Sequence, residues 1–212
     1  MMRPVLVVGA GGHAKVVIDV LLASAVEILG ATDSNFKKKG TYILGIPIVG
    51  TDEVILQYAP EQVFLVNGIG SVGLSTIRIE LFNYFKKLGY SFIGAVHPSA
   101  IVASEVTLGE GVQIMAGAII QPGCHIGSNS IVNTGTSVDH DCSIGSHVHL
   151  APRVTLSGGA QIEDRVHVGT GAVLIQGIHI CRNSLVGAGA VVLKDVAENT
   201  KVFGVPAREV SS

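Results

Sequence analysis

His140 and Asp141 stand side by side in the segment Ser137-Val138-Asp139-His140-Asp141-Cys142-Ser143-Ile144-Gly145. An imidazole titrates near neutrality, with an unperturbed pKa of about 6.5, so it can take a proton from a nucleophile near physiological pH. A carboxylate hydrogen-bonded to one ring nitrogen would fix the tautomer and raise the basicity of the other. Taken alone, the residues fit two readings: a polar corner with two solvated side chains, or an acid–base pair. A second set with chemical potential lies near the start of the chain. Gly9-x-Gly11-x-x-Ala14 follows the apolar run Val5–Val8 and precedes apolar residues at helical spacing, Val16, Val17, Val20 and Leu21. Helix N–H groups opened by glycines in this context bind phosphates and nucleotides. Asp33, at the end of a second apolar run, is placed to accept from a ribose or a base. His13 fits a structural cap as well as a ligand contact.

Two different element patterns must position these groups. From Val102 to Val192, every sixth residue is Ile, Leu or Val, sixteen positions without a break. Neither a helix nor an ordinary strand repeats every six residues, so this is an internal repeat. Four residues after each aliphatic, the residue is mostly small or β-branched: Ala118, Cys124, Ser130, Thr136, Cys142, Val148. The pattern predicts a triangular prism in which each hexad makes one flat strand and one corner, and three hexads make one coil. Both columns point inward, and about five coils stack roughly 4.8 Å apart. The glycines just after the aliphatic column, Gly109, Gly127, Gly145, Gly169 and Gly187, are expected to permit the geometry of the turn.

This frame gives the spacings meaning. His140 lies beyond inward Val138 and is expected to project outward. Gly158, three hexads on, stacks one coil above it, with an N–H open to a carbonyl oxygen, though a plain turn glycine fits as well. His149 falls half a coil away from His140, on the opposite side of one prism. The two can share a site only between neighbouring chains. Cys124 and Cys142 should stack in the core, and Cys181 follows inward Ile180, so none reads as a catalytic thiol.

Residues 1 to about 93 read instead as alternating strand and helix: strands at Val5–Val8, 27–32 and Val63–Val66, the last followed by Gly68-Ile69-Gly70. A second amphipathic helix runs from Thr76 to Leu88, with Lys86 and Lys87 in its last turn. That alternation predicts a small parallel sheet covered on both faces. A dinucleotide cofactor is disfavoured because a domain of this length is too short for two mononucleotide-binding halves. Composition narrows the class further. A net charge of -2 leaves little pull for nucleic acid or anionic membranes. No apolar run reaches the ~18 residues of a membrane span, and the first apolar stretch is too short for a signal peptide. A cytoplasmic protein is expected, and three cysteines do not make a disulfide framework.

The hexad column resembles the left-handed β-helix of the hexapeptide-repeat acyltransferases. The ending Val202-Phe203-Gly204-Val205-Pro206-Ala207-Arg208 resembles the G-x-P-A-[KR] terminus of that superfamily. Gly9-Ala10-Gly11-Gly12-His13, joined to such a repeat, is similar to the sugar O- and N-acetyltransferases related to sialic acid O-acetyltransferase. The resemblance implies a small Rossmann-like α/β domain over 1–93 and an all-β, left-handed parallel β-helix over 94–212. It implies acetyl-CoA as co-substrate, a nucleotide-linked 4-amino-4,6-dideoxy sugar as acceptor, and a homotrimer. Carried over by it are His140 as general base with Asp141 behind it, and Gly11, Gly12, His13, Asp33, Gly70 and Asn133 at the sugar nucleotide. On the coenzyme it places His149, Gly158, His167, Gly187, Lys194 and Arg208, the glycine amide contacting the acetyl carbonyl and the two cations meeting phosphates. No metal is expected: some β-helices bind zinc through three histidines, but His149 with His167 and His125 with His179 form no converging triple. The alternatives are O-acetyl transfer to a sugar hydroxyl and a non-enzymatic sugar-binding scaffold.

Overall fold

The computed structural model describes residues 3–210, so the first two residues of the expected α/β domain and the last two of the expected β-helix lie outside the described residues. They form two compact units: the residues up to Ser71 with Thr76–Pro98, and Val72–Ser75 with the residues from Ser99 onward.

In the first unit, β1 (Val5–Val8), β2 (Ile28–Thr32), β3 (Tyr42–Ile43), β4 (Ile46–Gly50) and β5 (Phe64–Asn67) form one sheet in the order β3-β4-β2-β1-β5. β1 pairs in parallel with β2 on one side and β5 on the other, which places it centrally, and all of its residues are buried. That double burial is why the run reads as continuous hydrophobics rather than an alternation. β3 is the antiparallel exception, joined to β4 through Leu44-Gly45, both at positive φ, as tight hairpins require. The first helix, α1 (Gly12–Ala23), follows β1 after a short glycine-rich turn and buries Ala14, Val17, Ile18, Val20 and Leu21. Val16, expected on that face, is exposed and Ile18 takes its place. The second, α2 (Ile77–Lys87), ends in Lys86-Lys87, cations that suit the negative end of a helix dipole.

The second unit is a parallel β-helix of very short strands. Its first face stacks strands from Ile101–Val102 to Val191–Val192, its second from Thr107–Leu108 to His179–Ile180, and its third includes Gln113–Ile114, Ile131–Val132, His149–Leu150 and His167–Val168. Successive strands on a face are three hexads apart, as in Ser137↔Thr155 and His149↔His167. The aliphatic column from Ile114 to Val192 is buried. Leu108, in the first coil of the second face, is exposed because no strand of that face stacks beneath it. The small column is buried too, and its polar members are satisfied without leaving the core. Ser130 Oγ donates to the Gly145 carbonyl at 2.8 Å, and Thr136 Oγ1 to the Ala151 carbonyl at 3.1 Å. Cys124 Sγ does the same with the Asp139 carbonyl at 3.0 Å.

One expectation about the glycines is corrected. The left-handed conformation falls on a different corner position, occupied by Gly117, Gly123, Gly135, Gly159, Gly171, Gly177 and Gly189, but also by Asn129, Asp141, His147, Arg153, Arg165 and Asn183. Gly109, Gly127, Gly145, Gly169 and Gly187 do not have positive φ. They are glycines because of crowding between coils. A Cβ on Gly127 would lie 2.5 Å from the Gly145 carbonyl carbon and from the Ser146 nitrogen. A Cβ on Gly187 would run into the Phe203 ring.

Candidate active site

Val138 and Cys142 face inward and anchor the corner that carries His140 and Asp141. Asp141 has φ +59, and its N–H donates to the Pro122 carbonyl, one coil earlier, at 3.1 Å. That backbone turn sends the carboxylate back toward its neighbour, and His140 Nδ1 lies 2.8 Å from Asp141 Oδ2. The His140 N–H also donates to Asp139 Oδ1 at 2.8 Å. The Asp141 hydrogen bond first, and the Asp139 charge second, hold the His140 pKa above the usual imidazole value. Both side chains of the pair are solvent-accessible. With Nδ1 engaged by the carboxylate, the lone pair of Nε2 is the basic site.

Gly158 does stack on His140, in a more intimate way than expected. A Cβ there would fall 2.6 Å from His140 Nε2 and 2.7 Å from Cε1, so the imidazole lies across the space a side chain would fill. The Gly158 carbonyl accepts from the Gly177 N–H. Gly123, absent from the sequence reading, plays the matching part on the other side: a Cβ there would run into Asp141 Oδ1. No periodicity marks it, because glycine is common at that corner.

His149 is on the third face, separated from His140 by the strand Ser143–Ile144 of the second face. It is only 8% exposed, and its Nε2 lies 3.1 Å from Asn133 Nδ2. His167 stacks edge-on against it at 5.0 Å. Burial lowers the His167 pKa, and its Nδ1 is buried without a hydrogen-bond partner among the described residues. One chain therefore holds two groups apart: His140, Asp141 and Gly158, and His149, Asn133 and His167. Lys194 and Arg208 line one hollow of about 300 Å³ near the end of the β-helix, together with Asp195 and Glu209.

The thiols match their expected environments. Burial pushes Cys142 up to about 11 and raises Cys124, which leaves both protonated and unreactive at neutral pH. Glu163, His179 and Cys181 come within 4.8 Å of one another, a grouping that a search for three histidines misses. Both Glu163 oxygens are already engaged: one lies 3.0 Å from His179 Nε2, the other accepts from Arg182 Nε at 3.2 Å.

In the first unit, Gly11 is the N-cap of α1 and Gly12 its first residue. No side chain caps this helix, its first turn carries no acid, and space is open where either glycine would carry a Cβ. The Gly9 N–H donates to Thr32 Oγ1 at 3.0 Å, and Thr32 in turn donates to Asp52. Gly70 leaves room for His13, whose Cβ would be 3.0 Å from a side chain there. Asp33 accepts from Lys38 Nζ at 2.6 Å and from the Asn35 N–H at 2.9 Å. Burial pushes its carboxyl upward, but these two donors hold it below the ordinary value. A cavity of about 520 Å³ beside Ala10 is lined by Lys15, Lys38, Tyr42 and Leu44, residues the sequence reading passed over. The strand β3 that carries Tyr42 is too short to show a period. Among the described residues, no helix is long and apolar enough to cross a membrane.

Known proteins match on both units. Residues 4–85 match the PglD N-terminal domain, residues 105–140 the bacterial transferase hexapeptide, and residues 159–194 the hexapeptide repeat of succinyl-transferase. PerB from Caulobacter crescentus, solved with CoA and GDP-perosamine, is 37% identical with a TM-score of 0.91, over 100% of this chain and 99% of that one. The acetyltransferase domain of PglB from Neisseria gonorrhoeae, solved with acetyl coenzyme A, is 32% identical with a TM-score of 0.89, over 99% and 100%. UDP-N-acetylbacillosamine N-acetyltransferase of Bacillus subtilis is 39% identical over 119 residues, 54% of this chain and 52% of that protein. An uncharacterized protein of Acanthamoeba polyphaga mimivirus is 32% identical over 50% of this chain and 21% of its own length. The chain thus spans about half the length, or less, of the curated relatives it matches. With both units matched and two solved relatives covered end to end, the chain belongs to the PglD-type hexapeptide-repeat N-acetyltransferases.

Proposed function

We propose that this protein transfers the acetyl group of acetyl-CoA to the 4-amino group of a nucleotide-linked 4-amino-4,6-dideoxy sugar, with His140 as general base. The observation that carries the reading is the His140–Asp141 pair, its Nε2 directed over a glycine. The acceptor amine attacks the thioester carbonyl, and a C–N bond forms. Nε2 takes the proton that nitrogen must lose, and Asp141 stabilises the imidazolium. Collapse of the tetrahedral intermediate breaks the C–S bond, and the thiolate leaves with that proton. No enzyme nucleophile is needed, and the buried thiols supply none. The Gly158 N–H is the donor proposed for the developing oxyanion. The relatives bind matching ligands: PerB has been solved with CoA and GDP-perosamine, including forms with one histidine replaced by asparagine or alanine.

The uncapped start of α1, with Gly11, Gly12 and His13, is the proposed seat of the diphosphate, where helix N–H groups and the dipole favour anions. The cavity at Tyr42, near Asp33, suits the nucleoside, and Gly70 keeps His13 in place. Lys194 and Arg208 are proposed to meet phosphates of the coenzyme, beyond Gly187. Such substrates fit a cytoplasmic enzyme. Turnover with a panel of UDP-, GDP- and dTDP-linked 4-amino sugars, followed by thiol release, tests the reading. Transfer to a 4-amino sugar but not to its 4-hydroxy counterpart is expected. Thiol release only with hydroxyl acceptors, or with none, would reject it.

Half a coil separates His140 from His149, so the proposed assembly is a homotrimer in which His149, Asn133 and His167 of one copy complete the site at His140 of the next. The exposed apolar residues Val173, Ile175 and Leu193 on the first face support burial against another copy. Sedimentation should give a trimer, and a stable, active monomer would sink the shared site.

Asp141→Asn should cost kcat less than loss of the imidazole, on the order of 10–100-fold. Neutral imidazole is the active form, and Asp141 raises its pKa. Without the carboxylate the ring stays neutral to lower pH, so the acidic limb of the pH–rate profile moves down. A larger loss than in the His140 variant would give the base role to the carboxylate.

A further inference from the structure

We infer that Gly123 is a positioning residue for the base: its missing side chain is what lets the Asp141 carboxylate turn back onto His140. This rests on the assignment of His140 as base and adds a residue one coil away from it. Gly123 has φ +77, a conformation glycine favours, but conformation alone does not explain it. The same corner position holds Asn129, Asn183, His147, Arg153 and Arg165 at φ between 57 and 60. Side chains are therefore tolerated there even when another stands one coil above, as where Asn129 Nδ2 lies 3.0 Å from His147 Nδ1, so what matters is whether the space of the Cβ itself is taken. At Gly117, Gly159, Gly171, Gly177 and Gly189, an added Cβ would meet nothing within 4 Å. At Gly123 it would run into Asp141 Oδ1, with Cγ at 3.4 Å and the Asp141 nitrogen at 3.5 Å. The backbone cannot retreat, because the Asp141 N–H is tied to the Pro122 carbonyl. The carboxylate must give way, and Oδ2 of that carboxylate is the atom that holds His140 Nδ1.

Gly123→Ala and Gly117→Ala carry the same kind of backbone strain, but only the first meets Asp141. Gly123→Asn carries the Cβ with a residue that this corner already accepts twice, and so keeps the test open if the alanine variant folds poorly. In the intact protein, the His140 imidazole titration is followed by NMR, its signal assigned by its loss in His140→Ala. The Gly123 variants should titrate at lower pH, lose about tenfold in kcat, and shift the acidic limb as Asp141→Asn does. Gly117→Ala should leave the titration and kcat unchanged. In an Asp141→Asn background, Gly123→Ala should add no further rate loss. An unchanged His140 titration in both Gly123 variants would overturn the inference. A lowered titration with unchanged kcat would uphold the positioning role and overturn His140 as the base, which separates the two failures.

Discussion

His140→Ala should lower kcat by about 10²–10⁴-fold while leaving thermal unfolding close to that of the unaltered protein. The rate loss is that of removing a general base, about 3–5 kcal/mol of barrier. Stability should move by no more than ~0.5 kcal/mol, because the side chain is 57% exposed and fills no core position. The inward contacts of its corner belong to Val138 and Cys142, which the substitution does not touch. Removing the ring also uncovers Gly158, which is buried beneath it, but leaves no enclosed cavity because the ring itself is on the surface. Steady-state kinetics and a melting curve on one preparation check both halves. A variant with unchanged kcat would reject the mechanism.

Gly127→Ala is expected to have the opposite character, with a large loss of stability and no direct part in chemistry. The added Cβ meets backbone of the next coil at 2.5 Å, and backbone cannot rotate away. Relief requires the coils to separate locally, which stretches the bond from the Gly127 N–H to the Ile144 carbonyl, 2.7 Å here. Overpacking of this kind costs about 3 kcal/mol, which corresponds to a drop in Tm of roughly 6–12 °C for a chain of this size. Gly117→Ala is the control, since it adds strain at positive φ but meets open space. Melting must be compared at equal protein concentration, because the proposed assembly would contribute to apparent stability. Equal losses in the two variants would refute close approach as the reason for this glycine.

The hexad architecture is legible in the sequence because an inward column of Ile, Leu and Val at every sixth position has only one stacked solution. The α/β unit is legible for a similar reason: β1 is buried on both faces and reads as an unbroken apolar run. What sequence misses is what periodicity does not encode. The β3–β4 hairpin has a strand too short for any pattern. Val16 and Ile18 are equally apolar, and only the helix orientation decides which is buried. The glycine columns are visible, but which corner position takes the positive φ and which faces crowded backbone shows only once the coils are built and stacked. The same holds at the proposed site. Asp141 beside His140 is adjacent in sequence, whereas the Asn133–His149 contact and the Gly123 clearance exist only after stacking.

Apart from a few bonds inside the corners, the hydrogen bonds of the prism run from coil to coil, and even the buried hydroxyls and thiols donate to a carbonyl in the following coil. Each coil is held chiefly by the two beside it, as planks are held in a stack under compression. The His140 corner has coils on both sides, Ile119–Ile120 and Ile101–Val102 before it on the first face and Thr155–Leu156, Val173–Leu174 and Val191–Val192 after. Opening that begins at either end must strip away whole layers, one at a time, before it loosens the carboxylate from the ring. The terminal layers act as sacrificial cladding: they can come loose and reseat while the pair inside keeps its alignment.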